Sequence, residues 1–111
     1  MRMWKVDPKI LCNKHLLGMH VEMHMFLGTL KKKKSITGYI KNDLFEPLKL
    51  KEFHDAIANE MIQRNMNHKT PLDYNNKIFN YLTEEELHHS INGKKSLKEL
   101  NKRCNNCLKN Q

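Results

Sequence analysis

At 111 residues the chain has room for one domain with one modest core, and none for a separate cofactor-binding domain. Its 20 Lys and Arg against 12 Asp and Glu give a net charge of +8, which favours an acidic or phosphate-bearing partner over a neutral one, although basic surfaces also serve solubility alone. No apolar run approaches the roughly 18 residues of a membrane span, no signal peptide opens the chain, and three cysteines without disulfide-framework spacing suit a reducing compartment, so an intracellular protein is expected.

Residues 1–6, Met-Arg-Met-Trp-Lys-Val, have no helical period and read as a short extended arm. Asp7-Pro8 follows as an N-cap and a proline-tolerant first helical position, and a helix is expected from there to about Lys33, broken near Asn13, which would cap its longer part. At 100° per residue His15, Gly18, Glu22, Met25 and Thr29 form one stripe, with Leu16, Met23, Leu27 and Leu30 on another flank. So few charges precede Lys31 that the helix reads as largely buried, and a carboxylate within it needs a reason. Glu22 is therefore the first candidate functional residue.

The run Lys31, Lys32, Lys33, Lys34 reads as a solvated helix end that complements the helix dipole and offers phosphate contacts; Ser35, Thr37 and Gly38 continue it as a loop. A second helix is expected over about Lys51 to Asn65, with Leu50, Phe53, Ala56, Ile57 and Met61 at core spacing and Asn67 to Pro71 ending it. Thr83-Glu84-Glu85-Glu86 and Ser96-Leu97-Lys98-Glu99 both fit the capping-box pattern, which predicts shorter helices at about 84–91 and 97–108. No segment alternates like a strand between hairpin turns, and the fold class is a small all-α, single-domain helical bundle over 1–111 with an extended N-terminal arm.

Two constellations have metal-ligand chemistry but incomplete patterns. In His20-x-Glu22-x-His24 the two histidines share a face, whereas Glu22 sits about 160° from His24, so one regular helix cannot converge all three. Cys104-x-x-Cys107 offers half of a tetrahedral zinc site; Cys12 or a histidine such as His88 or His89 would have to supply the rest. Half-buried helix-end thiols are the plainer reading, and no metal or cofactor is assigned. Gly-rich phosphate loops, nucleophile elbows and zincin motifs are all missing, so catalysis would need another nucleophile.

The opening stretch MRMWKVDPKILCNKHLLGMHVEMHMFLGT resembles the pyrimidine-dimer DNA glycosylases, whose best-known member is the bacteriophage endonuclease V. The shared frame is a basic residue after the terminal one, then His15-Leu16, then Glu22; the block LKEFHDAIANEMIQRNMNHKTPL resembles the helix that the family packs against the first. The resemblance implies a DNA-repair glycosylase with abasic-site lyase activity, acting through an imine between the N-terminal α-amine of Met1 and the damaged nucleotide's sugar. Catalysis would fall to Met1 and Glu22. Arg2, His15, Gly18, Lys31 to Lys34, His54 and His68 would contact substrate or DNA, Gly18 by letting the arm approach the helix closely and the two later histidines by DNA contact or helix packing. An α-amine ordinarily titrates at about 7.7–8.0, some two units below lysine, which makes it a usable nucleophile at neutral pH.

Met1 must then be retained and free, and Arg2 is too bulky for the usual removal of an initiator methionine. The partner would be double-stranded DNA carrying damaged or abasic sites, with the chain monomeric and cytoplasmic, nucleoid-associated or viral. Val21 and Met25 stand where the phage enzyme carries DNA-contacting arginines, so the lesion is left open. The competing readings are a non-catalytic nucleic-acid-binding module and a small zinc or redox protein built on Cys104 and Cys107.

Overall fold

The computed structural model describes residues 1–67 and 70–111, so the expected role of His68 lies outside the described residues. The described residues are helical without a strand, as the periodicity implies. Residues 1–6 form the extended arm; Asp7 caps one 3-10 turn, Pro8–Ile10, its carboxylate accepting from the Lys9 N–H at 3.0 Å. The chain then breaks. Helix α1, Asn13–Lys31, starts from Cys12, not from Asn13. Asn13 is already helical, and its Oδ1 accepts from Arg64 Nη1 at 3.0 Å.

Helix α2, Thr37–Lys41, occupies part of the expected loop, and α3, Leu50–Gln63, is the second periodic helix. Helices α1 and α3 pack as the central pair, joined by Leu16, Met19, Met23, Phe26, Leu27 and Leu30 of the first and Leu50, Phe53, Ile57, Ala58 and Met61 of the second. Ala56, expected in the core, is only partly covered. Phe26 stacks on Phe45, with ring centroids 4.0 Å apart and planes within 4°. The outer face of α1 is not buried as its low charge implied: Leu17, Val21 and Met25 recur every fourth residue and are about half exposed.

The ends of these helices share one device. In α1, α2 and α3 the residue after the C-cap is left-handed, namely Lys33 (φ 55°), Asp43 (φ 59°) and Asn65 (φ 60°). Each helix closes with a 6→1 backbone bond, Lys34 N to Thr29 O at 3.1 Å, Leu44 N to Tyr39 O at 2.8 Å and Met66 N to Met61 O at 2.9 Å. These are Schellman motifs built without glycine, which is why the sequence did not mark them.

Helix α4, Glu84–Leu87, begins with the expected capping box of Thr83 and Glu86 and is shorter than 84–91. The second expected box fails. Helix α5, Gly93–Arg103, is capped by Asn92, whose side chain accepts from Lys95 N; Ser96 lies buried inside the helix and donates to the Trp4 carbonyl. The expected helix to residue 108 is interrupted at Cys104, and α6 runs Asn105–Lys109.

The arm is strapped down along its length. Met3 N donates to Leu44 O at 2.6 Å, and the Met3 and Trp4 side chains are in the core. Lys5 adopts a left-handed φ of 50°, which costs a non-glycine residue about 1 kcal/mol. Its ammonium offsets this by pairing with the buried Glu46 carboxylate at 2.6 Å, which also accepts from Ile91 N at 2.8 Å. Arg64 fixes the turn beyond: Nη1 donates to Leu11 O at 2.7 Å, Nη2 to Lys9 O and Pro8 O at 3.1 and 3.2 Å, and Nε to Glu60 at 2.7 Å.

Arg64→Ala leaves those carbonyls without their charged donor and should cost about 2–3 kcal/mol of stability in denaturant unfolding. Arg64→Lys cannot reproduce the fork and should recover only part of it. A loss within about 0.5 kcal/mol for the alanine variant would show that the clamp is not structural.

Candidate active site

The arm and α1 meet around a cavity of about 560 Å³ lined by Met1, Arg2, Trp4, Lys14, His15, Gly18, Met19, Glu22, Leu44 and Arg103. One turn separates successive members of its floor, because His15, Gly18 or Met19, and Glu22 follow the helical period. Met1 and Arg2 reach it because the bond from Met3 to Leu44 and the burial of Met3 and Trp4 hold the arm against α1.

Glu22 is half-buried, and desolvation raises its carboxyl above the ordinary value. The N-terminal ammonium, the donating backbone N–H of Arg2 and the Arg2 guanidinium each pull it partway back. The Arg2 guanidinium lies 3.7 Å from the Trp4 ring centroid, with that of Arg103 at 5.7 Å from the same ring. Burial, then repulsion from Arg103, lowers the Arg2 pKa, and its Nε has no hydrogen-bond partner among the described residues. His15 sits edge-on to Trp4 with centroids 6.5 Å apart; desolvation, then Lys14, shifts it toward the neutral imidazole. A single carboxylate thus stands in a wall of Met1 amine, Arg2, Lys14 and Arg103.

The expected site residues separate into three groups. Met1, Arg2, His15, Gly18 and Glu22 converge on the cavity. Gly18 does so for a different reason than close packing: a Cβ there would meet nothing within 4 Å, so the missing side chain leaves the cavity open instead of admitting the arm's backbone. Lys31 to Lys34 are exposed at the far end of α1: Lys31 lies about 13 Å along the helix from Glu22, and Lys32 to Lys34 follow it in the closing turn. Lys31 and Lys33 border a different depression, with Lys77 and Tyr81.

His54 is only 1% exposed, so packing, and not DNA contact, is the role its position allows. Its ring lies 5.0 Å from those of His20 and His24, and nitrogens of all three fall within 4.8 Å of one another. The pair read as half a metal site thus has a third histidine from α3, which a sequence gap of 30 residues concealed. Neither His88 nor His89 approaches the cysteines: they bond Glu84 and Asp43 at 3.1 and 2.7 Å. Cys12 is a partner of Cys104 and Cys107, as its candidacy allowed, and the histidine beside them is His15. Burial pushes the Cys107 thiol up to about 12, while the backbone N–H of Cys107 is the main influence holding Cys104 below its ordinary value.

Trp4, Lys14, Met19, Leu44 and Arg103 line the cavity without having been marked by the sequence. Lys14, next to His15, had the helical period as a signal; Arg103 had none.

Gly18 and Gly28 both lie inside α1 with open space where a Cβ would stand. Alanine at either position should stabilise the helix by about 0.5–1 kcal/mol, read as a rise of several degrees in Tm. Only Gly18→Ala places a methyl in the cavity, so it alone should slow turnover. Destabilisation by Gly18→Ala would contradict the open geometry.

A basic helical fold with one half-buried carboxylate in a cationic cavity defines a protein class suited to acting on a polyanion. The sequence model of the pyrimidine dimer DNA glycosylase family matches residues 1–74, two thirds of the chain, and the chain belongs to that family. No curated protein and no solved structure gives a match. Family membership makes DNA the substrate, and no described helix is long and apolar enough to cross a membrane. The matched segment supplies every cavity residue except Arg103, which α5 contributes from outside it.

Proposed function

We propose that the protein is a glycosylase with abasic-site lyase activity, using the α-amine of Met1 as nucleophile and the Glu22 carboxylate to stabilise the cationic sugar and move protons. The observation that carries this reading is the shared cavity in which the N-terminal residue meets a half-buried carboxylate. The amine lone pair attacks C1′, and the bond to the base breaks with its electron pair going to the base. Ring opening at O4′ then yields the imine, and removal of a C2′ proton expels the 3′ phosphate. Glu22, half-buried in the cavity, faces the developing positive charge, and burial strengthens that interaction.

Arg2, Lys14 and Arg103 receive the flanking phosphates at the cavity, and His15 and Gly18 shape its floor. Lys31, about 13 Å along α1 from Glu22, matches a phosphate about four base pairs along the duplex, with Lys32 to Lys34 beside it in the closing turn. The exposed strip Leu17, Val21 and Met25 runs beside Gly18 and Glu22 and supplies an apolar face for an unstacked nucleotide or the gap it leaves. Pyrimidine dimers, other damaged bases and abasic sites all fit this chemistry.

The test is borohydride treatment of untagged protein with duplexes containing a dimer or an abasic site. A covalent protein–DNA adduct on the abasic duplex, with strand cleavage when borohydride is omitted, is expected. Tight binding with neither product would make the chain a binding module and end the enzymatic reading.

A further inference from the structure

Two residues separate Cys12 from His15 at the start of α1, and two separate Cys104 from Cys107 where α5 gives way to α6. The fold brings the pairs together across more than 90 residues of sequence. Cys12 Sγ lies 3.2 Å from His15 Nδ1 and 3.8 Å from Cys104 Sγ, Cys107 Sγ lies 3.5 Å from the same nitrogen, and all four ligand atoms are within 4.8 Å of one another. A zinc tetrahedron with Zn–S of about 2.3 Å and Zn–N of about 2.0 Å has S···S edges of about 3.8 Å and S···N edges of about 3.5 Å. These separations are those of ligands around one ion. A disulfide would need about 2.05 Å.

The surroundings fit the same occupant. The Cys12 backbone N–H donates to Cys107 Sγ at 3.2 Å, the kind of outer bond that disperses charge on a metal-bound thiolate. The helical run from Gly93 breaks at Cys104, which is extended (φ −142°, ψ 106°), although neither glycine nor proline stands there. That break turns both thiols toward Cys12 and His15.

We propose that Cys12, His15, Cys104 and Cys107 form a closed structural zinc site that clasps the start of α1 to the C-terminal helices. Three sulfurs and one imidazole complete a tetrahedron and leave no open position for a reacting water. With Nδ1 on the ion, His15 keeps an Nε2–H to donate, and Arg103, adjacent to a ligand, is held over the catalytic cavity. Two of the ligands lie within the family-matched residues 1–74 and two beyond them, so the clasp joins the matched segment to the rest of the chain. The site stands on its own donor geometry, whatever the enzyme's lesion.

Metal analysis of untagged protein, purified under a phosphine reductant without chelators, should find about one zinc per chain. The Cys104→Ser/Cys107→Ser variant should lose it by about tenfold or more, whereas His15→Cys should retain it. If the serine variant does not fold, cobalt exchanged into the unmodified protein still decides. Tetrahedral d–d bands with strong thiolate-to-cobalt charge transfer are expected. No stoichiometric metal together with no such bands, cobalt bound without charge transfer, or a disulfide in the freshly isolated protein would each overturn the proposal.

Discussion

Glu22→Gln should lower turnover by about 10²–10⁴-fold while leaving DNA affinity nearly unchanged, because it removes a charge that matters when the sugar becomes cationic and little before. The same substitution should raise stability at neutral pH. Burial lifts the folded carboxyl above the value of about 4.3 that glutamate has in an unfolded chain. The native state therefore holds its proton longer, and stability falls as pH rises from the unfolded value through the raised one. The groups facing Glu22 are the Met1 amine and Arg2 from the arm, with Lys14, His15 and Arg103 around the same cavity; the pull of the N-terminal ammonium and of Arg2 limits the penalty without cancelling it. Thermal unfolding across this range should show the glutamine variant more stable at pH 7, with the two proteins converging as the medium becomes acidic. A fully active glutamine variant would remove Glu22 from the mechanism, and one less stable than the parent at neutral pH would contradict the burial penalty on its charge.

Blocking the terminal amine should have a larger effect still. Acetylation removes the nucleophilic lone pair and the charge, with almost no added bulk. One extra residue before Met1 moves the amine by about 3.8 Å, beyond reach of a sugar docked at Glu22. Either change should reduce strand cleavage by about 10³-fold or more, as loss of a nucleophile does elsewhere, while circular dichroism and DNA binding stay close to the parent. Undiminished cleavage by acetylated protein would move the nucleophile to another residue, with Lys14 of the cavity wall the first to examine.

The central helices were readable because their apolar residues keep one face over three or more turns, as Leu16, Met23, Leu27 and Leu30 do in α1. Their ends were not, since Lys33, Asp43 and Asn65 take a left-handed conformation usually marked by glycine. Helix α2 spans only five residues, too few to show a period. Ser96 followed by Glu99 has the spacing of a cap, but a tertiary partner, the Trp4 carbonyl, claims the hydroxyl inside the helix.

At the site, Glu22 was visible as a lone carboxylate on an otherwise uncharged stretch, whereas nothing in the composition of residues 1–6 marked Met1, which rested on family resemblance. Arg103 and the union of Cys12 and His15 with Cys104 and Cys107 depend on contacts across about 90–100 residues. Cys12 could be named as a candidate only because of its residue type, and local pattern carries no trace of the approach of His15 or Arg103.

In the proposed mechanism the Met1 nitrogen forms the bond to DNA. Borohydride reduction of the complex with an abasic duplex, followed by nuclease and protease digestion, places the sugar remnant by tandem mass spectrometry. The remnant should sit on the α-nitrogen of the N-terminal peptide Met1-Arg2. Its appearance on a lysine side chain, with that terminal amine unmodified, would contradict the account.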